Sequence, residues 1–475
     1  MAMAMQQRAS GHHLLHALLT VTLLWQAGRL LHRLWWRPRG LERALRSRGL
    51  RGTRFRLVTG DLGVRDRLNT QAQSMPPLPP PRCHDIAPRV LPFIVANLQA
   101  HGGEACLSWF GPIPRVTVTD PGIAREVLSG KPGGDLEKPQ FRDLSRLLAA
   151  GLTAYEGDKW ARHRRILNPA FHLDKLKGRN NELASRWAAA AALGSDDGSC
   201  CEVDVWPEFR SLTGDVISRT AFGGSYLEGR KNLPAAGRAS RAPCKHRPED
   251  VHSRLHVYLP TKNNIRMRQI SKEVNSILRG LIGRRVEAIR KGESDTDDDL
   301  LGLMLESNMS PMGEGMTTED VIEECKLFYL AGTETTSSLL TWTMVLLSMH
   351  PEWQDRAREE VIAVTMILYE VLRLYPSSTI NTRKTCKEVE IGGVRYPAVR
   401  YPAGVIIELP VLLIHHDQEL WGSDAHEFRP ERFAEGISKA SKVPGAFLPF
   451  GWGPRICISQ SFALPEAKMA LCMMP

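Results

Sequence analysis

The stretch from Thr317 to Ser348 constrains the fold more than any other part of this chain. Thr317 with Asp320 has the form of a capping box, and no proline follows until Pro351. The spacing predicts one helix of 32 residues, far beyond the usual mean of about 11–12. After Leu327 it is apolar almost all round, so it belongs at the centre of a body rather than on its surface. Inside it sits Ala331-Gly332-Thr333-Glu334-Thr335-Thr336. A glycine, an acid and three hydroxyls are costly in a buried helix unless they have a task.

A second unusual segment lies near the C-terminus: Phe450-Gly451-Trp452-Gly453-Pro454-Arg455-Ile456-Cys457. Its glycines allow a tight loop and close approach of backbone to a flat ligand. Arg455 offers charge to an anionic group. Cys457 sits just before a helical run, Ser461 to Met469, whose N-terminus favours negative charge. A thiolate so placed suits the axial position of a haem iron. A buried, inert thiol is the competing reading of one cysteine taken alone.

Upstream, Glu370-Val371-Leu372-Arg373 sets acid and base at i and i+3 on an apolar helix, Val361–Leu374, which ends at Tyr375-Pro376. A charged pair on so apolar a helix must be hydrogen-bonded to something. Arg432, in Arg429-Pro430-Glu431-Arg432-Phe433, is the expected third member. His163, His172, His415 and His416 lie near these motifs without ligand spacing and read as structural.

Taken in order, Trp160 with Arg164, AGTETT, ExxR, FRPERF and FxxGxRxC resemble the cytochrome P450 family over nearly the whole chain. The wording "KWARHRRILNPAFH", "FYLAGTETTSSLLTWTMVLLSMHPEWQDRAREEV" and "MILYEVLRLYP" resembles the plant group that includes secologanin synthase. The resemblance implies a mainly α fold with small β-sheets around haem b, iron protoporphyrin IX. It implies a monooxygenase inserting one oxygen atom of O2 into an apolar, terpenoid-like plant metabolite, with electrons from NADPH-cytochrome P450 reductase. Cys457 would be the proximal iron ligand. Trp160, Arg164, Arg455 and Arg383 would hold the haem propionates, and Phe450 and Gly453 would shape the loop against the ring. Ala331 and Gly332 would give room over the haem face, and Thr335 with Glu334 would relay protons toward O2. Glu370, Arg373 and Arg432 would lock the scaffold behind the cysteine loop.

Several departures from that pattern carry a rival reading, a catalytically impaired or inactive product of an altered gene model. Position 459 is Ser where the family has Gly, so a Cβ is expected to press on the haem or the loop. Pro465 falls inside the helix after the cysteine, where it should cost about 3 kcal/mol. Glu370 lies only 20 positions after His350, where about twenty more are expected, and 18 residues follow Cys457, so a C-terminal hairpin is expected to be missing. Gly229–His256 has neither helical nor strand period.

Charge locates the rest. The net charge is +10, which would fit nucleic acid or an anionic membrane. Residues 1–70 carry 13 Lys and Arg against 3 Asp and Glu, so the excess is all there and the body is neutral. This argues against a nucleic-acid binder. Ala9–Gly28 has no charged residue and is followed by Arg29, Arg33, Arg37 and Arg39. Length and flanks predict a single-pass membrane anchor with the catalytic domain cytosolic, and the resemblance implies the endoplasmic reticulum membrane. The expected organisation is an anchor over 1–36, a basic and proline-rich linker over 37–82, and a haem-binding domain over 83–475. Nine cysteines without a CxxC pair fit a reduced compartment.

Overall fold

The computed structural model describes residues 2–76, 84–102, 105–140, 150–171, 203–222, 261–291, 299–309, 315–392 and 398–472. Residues 77–81 of the proline-rich linker, Gly229–His256 and His172 lie outside the described residues.

The predicted central helix is present as Thr318–Met349. Its capping box is complete: the Thr317 hydroxyl accepts from the Asp320 amide at 3.1 Å, and the Asp320 carboxylate accepts from the Thr317 amide at 3.4 Å. Helix Val205–Phe222 packs along it. A Cβ on Gly332 would lie 2.9 Å from Ile217 Cγ1, so this glycine sets how closely the two helices approach. Thr213 fastens the crossing by donating to the Thr333 carbonyl at 3.0 Å.

The β-structure is small, as the resemblance implied. One sheet has the order β1-β2-β3-β8-β5-β4, from Arg51–Gly52, Ala105–Phe110, Ile113–Val118, Ile406–Leu409, Asn381–Thr385 and Leu136–Glu137. Strands β6 (Val389–Ile391) and β7 (Val399–Tyr401) form a separate pair. The hairpin β2–β3 turns at Gly111, whose φ of +56° supplies the left-handed residue a tight hairpin needs. Helix Pro121–Leu128 follows, capped by the Asp120 carboxylate on the Ile123 amide at 2.6 Å. β3 and β8 run parallel and bury an ion pair that the sequence did not announce, Arg115 with Glu408. Burial alone would raise the Glu408 carboxyl; Arg115 and Arg65 outweigh it and hold it below its ordinary value.

The N-terminal helix runs from Ala2 to Leu31, yet among the described residues no helix is long and apolar enough to cross a membrane. His16, Thr20, Thr22 and Gln26 dilute the apolar run too far. Pro465 does not end its helix, which continues from Gln460 to Cys472. The short 350–370 connection is accommodated by helix Pro351–Glu359 meeting helix Val361–Leu374 across Glu360 alone. The join leaves Val361 and Ile362 exposed, at 68% and 69%.

Candidate active site

The ExxR residues are fully buried. Arg373 donates from Nε and Nη2 to the two oxygens of Glu370 at 2.8 and 2.7 Å. Its Nη1 donates to the carbonyls of His415 and Ala425 at 2.8 and 2.7 Å, and Nη2 reaches Glu427 O at 3.2 Å. Glu370 also accepts from the Arg429 amide at 3.0 Å and pairs with Arg432 at 3.5 Å. Arg432 in turn donates to the carbonyls of Trp421 and Asp424 at 2.8 and 2.6 Å. Every buried charge is thus answered by polar groups, the condition under which such a pair is tolerated. His415 joins the network: its Nε2 accepts from the Leu448 amide at 2.9 Å, just ahead of the cysteine loop.

That loop ends at Cys457, whose amide donates to Phe450 O at 2.9 Å. Gly453 stands at φ +71°, and a Cβ there would meet Leu128 O at 2.5 Å. This glycine therefore seats the loop against the end of helix Pro121–Leu128. Cys457 borders two cavities. The larger, of about 250 Å³, is lined by Phe450, Gly332, Thr335, Thr336, Arg383 and Arg455, among others. The smaller, of about 140 Å³, is lined by Trp160, Arg164, Ala331, Gly332 and Arg455.

The walls carry opposite characters. Leu128, Leu339, Phe450 and Phe462 are apolar, while Lys138, Arg383 and Arg455 gather three cations. Burial, then the neighbouring Arg383 and Arg455, lowers Lys138 to about 8, and burial with Arg455 lowers Arg383 to about 10. Arg455 pairs with Glu156 and donates to Tyr155 O at 2.6 Å, yet its buried Nη1 has no protein partner. Its guanidinium lies 4.8 Å from the Trp160 ring centre. Arg164 instead donates to Ile456 O at 2.8 Å, bracing the residue before the cysteine. An apolar-walled space lined by a thiol and several cations fits a haem carrying two propionates.

On the central helix, Thr335 lines the larger cavity and donates to Ala331 O at 2.7 Å. Glu334 is turned toward Arg210, with which it forms an ion pair. Two residues at this site escaped the sequence reading. Lys138 is a lone lysine in sequence; the β4–β5 register, Glu137 opposite Lys384, brings it beside Arg383. Glu466 lies on the terminal helix, buried against Thr336, with Oε1 lacking a protein partner.

Fold and site together define a haem-thiolate protein. The chain belongs to the cytochrome P450 family, which it matches over residues 89–474. It is 49% identical to cytochrome P450 CYP72A616 of Paris polyphylla, over 97% of this chain and 92% of that protein. It is 46% identical to cytochrome P450 72A15 of Arabidopsis thaliana, over 94% and 90%. It is 44% identical to the 11-oxo-beta-amyrin 30-oxidase of Glycyrrhiza uralensis, over 94% and 88%. It is therefore a plant-type monooxygenase that uses haem, O2, a small-molecule substrate and electrons from a redox partner. The rival reading of an inactive product finds no support in these relatives.

Proposed function

We propose that the chain oxidises an apolar, terpenoid-like plant metabolite, taking electrons from NADPH-cytochrome P450 reductase. The observation that carries this reading is the larger cavity, where Cys457 and the cation cluster meet Thr335 and Gly332 of the central helix. A haem bound there would supply dioxygen activation, with Arg383, Arg455 and Lys138 holding its propionates and Cys457 holding its iron. The Thr335 hydroxyl stands in the cavity wall and donates to Ala331 O, so it would turn from that carbonyl to pass a proton toward a reacting oxygen. A relative named for oxidising an oxo-amyrin supports the substrate class.

The proposed location is the cytosolic side of the endoplasmic reticulum membrane, with residues 1–36 at the lipid, 37–82 as linker and 83–475 as the catalytic body. Leu18, Leu23, Leu24, Trp25 and Leu30 are exposed on the N-terminal helix, directly before a cluster of arginines. The test is to express the full chain, reconstitute it with reductase and NADPH, and incubate with a panel of triterpenoids under 18O2. One labelled oxygen in a product is expected. A normal reduced carbon-monoxide band with no triterpenoid product and no spectral shift on adding any of them would overturn the substrate class.

A further inference from the structure

We propose that Asp85, His416 and His426 form a structural site for a divalent transition ion of the zinc class, away from the haem cavity. One ligand atom from each lies within 4.8 Å of the others. An ion at their centre would need each ligand to close by less than about 1 Å to reach bond lengths of ~2.0–2.2 Å.

The ring of His416 is already set for this task. It is 4% exposed, and its Nε2 lies 2.9 Å from Leu374 O. A carbonyl only accepts, so Nε2 carries the proton and Nδ1 keeps its lone pair. That Nδ1 is buried with no protein partner, and so is Nδ1 of His426. A backbone carbonyl fixing the far nitrogen is how metal-binding histidines are commonly oriented. Asp85 is brought in by its neighbour: the His84 amide donates to the His426 carbonyl at 2.7 Å. Two imidazoles and one carboxylate, with a fourth position left for water, suit zinc rather than calcium or magnesium, which take oxygen ligands.

The site would join three remote pieces of chain. Asp85 stands at the entry to the catalytic body, His416 ends helix Val411–His416, and His426 follows Ala425. Two carbonyls that hold Arg373, those of His415 and Ala425, are the immediate neighbours of the two histidines. Such an ion would therefore stiffen the scaffold behind the cysteine loop. No sequence spacing could reveal it, because the ligands converge only in the fold.

The experiment uses tag-free, haem-loaded full chain, stripped with chelator, returned to metal-free buffer and titrated with zinc chloride. We expect one zinc per chain by mass spectrometric metal analysis, and a melting temperature that rises with zinc. Asp85→Asn and His426→Gln should each bind zinc at least tenfold more weakly and lose the thermal response, while keeping the reduced carbon-monoxide band. Absence of zinc uptake, or equal uptake by both variants, which would mean an adventitious ion only, overturns the proposal. Metal content is read independently of turnover, so failure here leaves the monooxygenase reading untouched.

Discussion

The sulfur of Cys457 and the hydroxyl oxygen of Ser459 stand 3.5 Å apart at the head of the terminal helix. Among the described residues only Val58 is a non-glycine at positive φ, so Ser459 occupies its position without the backbone strain that would demand glycine. Its side chain borders both cavities. With sulfur as thiolate, the hydroxyl donates and drains electron density from the axial ligand. Ser459→Gly should therefore shift the haem reduction potential to more negative values and move the reduced carbon-monoxide band, with the fold intact. An unchanged potential would show that the hydroxyl points elsewhere once haem is bound.

The Glu370–Arg373 pair makes a second expectation. Arg373→Ala strips a fully buried carboxylate of its partner and leaves the carbonyls of His415 and Ala425 unmet. Loss of one member of such a pair costs about 3–5 kcal/mol. The variant should fail to retain haem, read as loss of the Soret band at normal expression. Arg373→Lys should rescue little, because one ammonium cannot replace a fork that serves both Glu370 oxygens and three carbonyls.

The three cations on the cavity edge act together. Arg383→Ala and Lys138→Ala should each accelerate haem transfer to an apo-globin acceptor, by about tenfold, since a charge-assisted hydrogen bond is worth about 1.5–3 kcal/mol. The double variant should lose more than the sum, because in each single variant relief of the like-charge repulsion offsets part of the loss. Simple additivity would indicate that they bind separate groups.

What the sequence revealed depended on whether the signal was local. The central helix and its capping box were legible because both are written in adjacent residues. The roles of Glu370 and Arg373 as a buried pair were legible because an apolar helix leaves charge nowhere to go. Lys138, the Arg115–Glu408 pair and the histidine cluster were not, because strand register and chain crossing create them. The membrane-spanning expectation is not shown: the length and flanking arginines are there, but among the described residues no helix is long and apolar enough to cross a membrane. Pro465 shows tertiary packing overriding a local breaker, since buried Phe462, Ala467 and Ala470 hold the helix on both sides of it.

Glu466 offers a test in which pH decides the sign. Burial pushes its carboxyl up to about 8, opposed only by the hydrogen bond with Thr336. The ordinary value is about 4.3, so the folded chain holds a proton that the unfolded chain releases between those two limits. Its contribution to stability is full below the ordinary value and is lost as pH rises through about 8. Glu466→Gln stays neutral throughout and keeps a polar group against Thr336. It should match the parent near pH 4 and gain on it as pH rises, by about 1.4 kcal/mol per pH unit at most. Urea midpoints at pH 5 and pH 8 provide the comparison. Parallel pH dependence in the two proteins would mean that Glu466 is ionised in the folded state, with its unpartnered oxygen answered by something other than a proton.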